Sequence, residues 1–236
     1  MLLARSLPHS SRIRVVATFD ELVATPWADG VNALCLPRSL AGDFAEIVAA
    51  LPPGKGIVGL DEEELMALPV SAAGRVAVEA MLEDRRRLEA LGLLPELNAI
   101  HGYVREPCEG TVNTEVYSFH ADSATVPADT WLCTYHGASS EGIINEEVMR
   151  RVDVPETRAA LLADYGGADD EGFREWLSEH CYDLHYVPLP VAKPFVFGVG
   201  SLWRIATEHP GCAVPPCVHR APETLPGDAT RLLLIA

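Results

Sequence analysis

A change of hydrophobic period near residue 100 constrains this chain more than any other feature. Before it, apolar residues recur three and four apart, as at Phe19, Leu22 and Val23 and again through residues 41–51. After it, apolar and polar residues alternate through residues 114–122, and 130–136 read as a second strand ended by Gly137. A period near 3.6 belongs to helices and a period of 2 to strands, so the two parts ask for different elements.

Punctuation sharpens the division. Pro52, Pro53 and Gly54 break the first helical stretch. Asp61 and the three glutamates behind it start another helix, with acids placed to favour its N-terminal dipole. Residues 76–94 read as a long amphipathic helix that ends near Gly92 and Pro95, with Arg85, Arg86 and Arg87 on its solvated side. In the second part, strands are expected over 114–122, 130–136, 186–189, 194–205, 217–219 and 230–235. Residues 141–180 read as a partly helical insertion. Short strands parted by turns point to a barrel or sandwich. The expected fold is α+β in a single domain over 1–236: a mainly helical layer over 1–100, and a β-barrel core over 101–236.

Composition excludes some partners. The formal net charge is −16 over 236 residues, which opposes phosphate backbones and anionic membrane surfaces. No stretch approaches the roughly 20 consecutive apolar residues of a membrane-spanning helix. Residues 1–16 lack the apolar core of a secretory leader, so a cytoplasmic location is expected. In that compartment Cys35, Cys108, Cys133, Cys181, Cys212 and Cys217 are expected mostly as free thiols.

Chemistry concentrates at four residues. His120 and Asp122 stand two apart in an alternating segment, so one imidazole and one carboxylate share a face. His219, in a distant strand, completes two nitrogens and one oxygen on one side of a metal. This facial triad leaves coordination positions open and suits non-haem iron(II). Twelve residues on, Arg231 opens an apolar strand. A guanidinium facing inward there is costly unless it meets an anion, and a dicarboxylate can engage its fork.

The series His120-Ala121-Asp122, His219 and Arg231 resembles the HxD…H…R signature of the iron(II)/2-oxoglutarate-dependent dioxygenases. The neighbouring segments Phe119–Asp122, Leu132–Gly137, Val218–Pro222 and Arg231–Leu234 also resemble a bacterial family of uncharacterised proteins. The resemblance covers residues 114–236 and implies a double-stranded β-helix (jelly-roll, cupin-like) core. It implies that His120, Asp122 and His219 bind iron(II), and that Arg231 binds the far carboxylate of the cosubstrate 2-oxoglutarate. A hydroxyl usually assists that carboxylate; Tyr135 is preferred over Thr134, since alternation turns only one of them inward. The implied activity is an oxidoreductase that oxidises a small molecule while 2-oxoglutarate becomes succinate and carbon dioxide.

Other readings compete with this one. A cupin-like metal enzyme without 2-oxoglutarate, or a non-catalytic metal- or ligand-binding protein, would use the same ligands. His209, Cys212, Cys217 and His219 offer zinc-type donors, but the spacing and Pro210, Pro215 and Pro216 disfavour a compact knuckle. His180, Cys181 and His185 form a further group, read as a loop feature. Gly198 and Gly200 lack the following helix of a dinucleotide site and are read as permitting a bend or close packing. Trp131 and Trp203 are assigned to the core.

Overall fold

The computed structural model describes residues 10–103, 110–224 and 227–236; Cys108 lies outside them. In chain order the elements begin with β1 (Ile13–Val15), α1 (Phe19–Ala24), β2 (Ala33–Leu36), α2 (Phe44–Ala50), β3 (Ile57–Leu60), α3 (Glu62–Ala67), α4 (Ala72–Glu89) and β4 (Glu96–Ile100). They continue with β5 (Asp129–His136), β6 (Glu141–Ile143), β7 (Val148–Arg150), α5 (Pro155–Tyr165), α6 (Glu171–Glu179), β8 (Tyr186–Pro188), β9 (Phe195–Val196), β10 (Leu202–Ala206), β11 (Val218–Arg220) and β12 (Arg231–Ile235). One sheet runs β1-β2-β10-β5-β12-β4-β3, antiparallel except between β1 and β2; a second runs β11-β6-β9, and a third pairs β7 with β8. The architecture is a mixed one compatible with α+β, and the sheets do not close into a barrel among the described residues.

The first hundred residues depart from the expected helical layer. They hold four helices but also four strands of the large sheet. All four residues of β2 and four of the five in β4 are buried. A short strand buried on both faces reads as a continuous apolar run with no period of 2, so alternation does not reveal it. The helices begin where their caps say. Asp61 and Glu64 form a reciprocal capping box on α3, and the Ser71 hydroxyl accepts from the first-turn amides of α4. Arg85, Arg86 and Arg87 pair with Glu89, Glu79 and Glu83 along the exposed side of α4.

Alternation divides the large sheet between two cores. Trp131, Cys133 and Tyr135 of β5 and Leu232 and Leu234 of β12 pack with Val78, Met81 and Leu82 of α4. The opposite face, with Leu132 and Leu233, meets Phe195, Phe197 and Cys217 from the small sheet and its surroundings. Helices, large sheet and small sheet therefore stack as three layers. Trp203 is fully buried in the second core, stacked on Phe197 at 4.4 Å, and donates its indole N–H to the Phe197 carbonyl. Gly142 makes this packing possible: a Cβ there would lie 2.4 Å from Phe195 and 2.6 Å from Phe197. Gly198 and Gly200 bend the chain at φ 82° and 84°. The 141–180 stretch carries α5 and α6 around their own cluster of Val152, Leu161, Phe173 and Leu177, and also β6, the middle strand of the small sheet.

Candidate metal centre

Two layers meet at the site. His219 lies on β11, paired with Gly142 of β6. His120 sits directly opposite His219, each amide donating to the other's carbonyl at 2.9 Å. The expected strand over 114–122 is reduced to this bridge and a second one between His120 and His185. Its start is spent on turns, where the Asn113 side chain accepts from the Glu115 amide and Ser118 N–H donates to the Glu115 carbonyl. Its end leaves to pair Ser123 with Glu208.

The three predicted ligands do converge. Nε2 of His120 lies 3.7 Å from Oδ1 of Asp122, and Nε2 of His219 lies 3.6 Å from Oδ2. Among the described residues, this is the one group of three or more such side chains whose ligating atoms lie within 4.8 Å of one another, and it could bind a metal ion. Each ring turns its other nitrogen to a backbone carbonyl: His120 Nδ1 is 2.7 Å from Ser118 O, and His219 Nδ1 is 3.4 Å from Cys217 O. A proton on Nδ1 leaves the Nε2 lone pair for a metal, as the outer shell of metal sites usually arranges. Thr130 of β5 donates its hydroxyl to Asp122 Oδ2 at 2.6 Å, which orients the carboxylate.

The electrostatics favour the ligating forms. Burial, then the neighbouring His219, push the His120 pKa down, so the ring stays neutral over a wider range. Burial alone would raise the Asp122 pKa. His219, the Thr130 hydroxyl and His120 outweigh it and hold the carboxyl below its usual value. Two imidazoles and a carboxylate with no thiolate suit a first-row divalent ion, and three protein ligands leave positions for other molecules.

The zinc-type alternative does not assemble. The Cys212 thiol donates to the Val214 carbonyl, and burial pushes the Cys217 thiol up to about 12, which disfavours a thiolate ligand. Cys35, Cys133, Cys181, Cys212 and Cys217 are all free.

Arg231, only 2% exposed, faces the same cavity as the three ligands. This cavity of about 160 Å³ lies between the two main sheets, with Tyr103, Thr130, Leu132, Ser140 and Leu233 also in its wall. Arg231 Nη1 donates to the Tyr103 hydroxyl at 3.0 Å; Nη2 donates to Ser140 at 2.7 Å and Thr134 at 3.2 Å. Its Nε is buried without a partner, and no carboxylate among the described residues pairs with it. A hydroxyl that accepts from Arg231 still has its own proton to donate. The guanidinium and its three hydroxyls thus group hydrogen-bond donors on one wall of the cavity.

Tyr135 does not belong to this pocket, which corrects the preference for it over Thr134. It points to the helical side of the sheet, stacks on Phe44 and donates its hydroxyl to Asp84. Alternation along β5 requires that Thr130, Leu132 and Thr134 share the cavity face while Tyr135 cannot. Period alone does not say which face is the site; Thr134, its neighbour Ser140 and Tyr103 are brought in by the fold.

No family model, curated protein or solved structure matches the chain.

Proposed function

We propose that the protein is an iron(II)- and 2-oxoglutarate-dependent oxygenase acting on a small molecule, with the two main sheets as its jelly-roll core. One observation carries the reading: a His–Asp–His cluster and a buried arginine with no carboxylate partner among the described residues line a single cavity. A metal site alone would not call for the arginine, and an isolated buried guanidinium is costly until an anion enters.

In this reading His120, Asp122 and His219 hold the metal. Arg231, Tyr103, Thr134 and Ser140 hold the distal carboxylate of 2-oxoglutarate. Bound iron(II) would supply the redox chemistry by which dioxygen and 2-oxoglutarate yield succinate, carbon dioxide and an oxygenated substrate. Thr130 fixes the carboxylate ligand, while Leu132 and Leu233 keep the wall between the charged groups dry, which strengthens their pull on an anion.

The test is succinate formation from 2-oxoglutarate with iron(II) and ascorbate, including slow turnover without a prime substrate. Wild-type protein should form succinate, and Asp122→Ala should not. Protein that binds a divalent metal but not 2-oxoglutarate would exclude this reading and favour a metal enzyme of the cupin-like kind.

A further inference from the structure

The register of the large sheet gives the metal cavity two different ends. Arg231, Leu233 and Ile235 alternate along β12, and all three line the cavity. At about 3.4 Å per residue they span about 14 Å. At one end Arg231 donates to Thr134 of β5. At the other, Ile235 pairs with Leu132, and Thr130, one step further on the same face of β5, donates to Asp122. The arginine and the metal ligands therefore lie apart along the strand, with Ile235 at the metal end.

The opening lies at that end too. Arg231 is 2% exposed, whereas Ile235 is 38% and Val116 42% exposed. Val116 belongs to the other layer: its carbonyl accepts from the amide of Ala221, two residues after His219, at 2.8 Å. Ile235 thus forms one lip, and Val116 with Ala221 the other.

The polar groups of the wall are already engaged. Thr130 is bonded to Asp122, and Tyr103 and Ser140 are bonded to Arg231. With His120, Asp122 and His219 on a metal and Arg231 on a carboxylate, the wall that remains is Val116, Leu132, Ala221, Leu233 and Ile235. Among the described residues it holds no other charged side chain. A charged group entering here would lose water and gain no partner, whereas an apolar group is favoured by leaving water. The volume of about 160 Å³ lies below the roughly 300–1,000 Å³ of pockets that enclose a drug-sized ligand, so only one end of a guest fits beside a metal-bound cosubstrate.

We infer that the prime substrate is a small molecule with an uncharged hydrocarbon end, which enters between Ile235 and Val116 and lies beside the metal ligands, away from Arg231. The name of substrate rests on the oxygenase reading. The apolar opening beside the three ligands stands without it.

The experiment uses the full chain with 2-oxoglutarate and three matched probes: 4-fluorotoluene, 4-fluorobenzamide and 4-fluorobenzylamine. Work at roughly 0.15 M salt screens attraction of the amine to the acidic surface. Fluorine NMR of Zn(II)-loaded protein gives the affinities, and broadening in Mn(II)-loaded protein gives proximity to the metal. 4-Fluorotoluene should bind roughly tenfold more tightly than the amide or the amine, which must shed water from polar groups, and Mn(II) should broaden its signal. Ile235→Val should keep this preference. Ile235→Glu should weaken 4-fluorotoluene at least fivefold and bring the amine level with it or ahead. Val116→Glu, on the opposite lip, should act in the same direction, and retained Mn(II) binding shows that each variant is folded. Equal binding of the three probes, 4-fluorotoluene bound without broadening by Mn(II), or an unaltered preference in a folded glutamate variant would overturn the inference. Succinate formation in a protein with no such preference would refute this inference alone. The preference beside Mn(II) in a protein that forms no succinate with iron would refute the oxygenase reading and leave the apolar opening assigned.

Discussion

Replacing Arg231 with methionine separates a cosubstrate anchor from a structural arginine. Methionine fills the buried volume but removes the charge and all five N–H donors. Among the described residues those donors reach only neutral hydroxyls, of Tyr103, Thr134 and Ser140. Burial pushes the Arg231 pKa down, with Tyr103 partly opposing. The fold should therefore lose little. The freed hydroxyls can bond one another, and a net cost of about 1–2 kcal/mol is expected from three neutral hydrogen bonds lost and one buried charge relieved. For a chain of this size that is a fall in Tm of roughly 2–8 °C. Binding of 2-oxoglutarate should suffer far more. A buried charge-assisted pair contributes about 2–5 kcal/mol, and at about 1.4 kcal/mol per tenfold this is a loss of roughly a hundredfold or more in affinity. The assay is calorimetric titration of 2-oxoglutarate into Mn(II)-loaded wild type and Arg231→Met, with Mn(II) affinity measured in both. Metal binding should persist, because Arg231 is not a ligand. Unchanged 2-oxoglutarate affinity in the variant would refute the argument, and a collapse of Tm far beyond this range would make Arg231 a structural residue.

Three further outcomes follow from the geometry. Thr130→Val removes the hydroxyl that holds Asp122 and should weaken Mn(II) binding by roughly 10–100-fold without unfolding the protein, as measured by metal titration. Asp84→Asn strips the counter-charge from Arg38, which Asp84 binds through both oxygens at 2.6 and 2.7 Å with Asp84 only 2% exposed; the expected loss is about 3–5 kcal/mol, or a Tm lower by roughly 10 °C, by calorimetry. His185 is 5% exposed, and burial, then His120 and Arg151, lower its pKa from 6.5 to about 4. The unfolded chain then binds more protons, so this contribution is complete above about 6.5 and is lost as the pH falls toward about 4, by up to about 3 kcal/mol. Urea unfolding of the metal-free protein should show a shallower acid slope in His185→Leu, and an unchanged slope would count against the assignment.

The sequence determined the local elements and the residues of the triad. Apolar spacing located α1, α2 and α4, the acids at Asp61 located α3, and short apolar stretches bounded by turn residues located β5 and β12, because these features depend on near neighbours. The His120–Asp122 pair and the two distant residues were legible because few patterns place two imidazoles, a carboxylate and an inward arginine in strand-like segments. Tertiary structure decided the rest. It hid β2 and β4 from any periodic signal by burying both their faces, and it turned the segment before His120 into turns around Asn113 and Glu115. It also chose which face of β5 meets the cavity, so Thr134 bonds Arg231 and Tyr135 bonds Asp84. Tyr103 and Ser140 reach Arg231 across sequence separations of 128 and 91, where no local pattern can register a contact. That no carboxylate among the described residues pairs with Arg231 is likewise a property of the packed sheets: a chain with 34 acidic residues had many that could have filled the place, and sequence alone does not say which of them do.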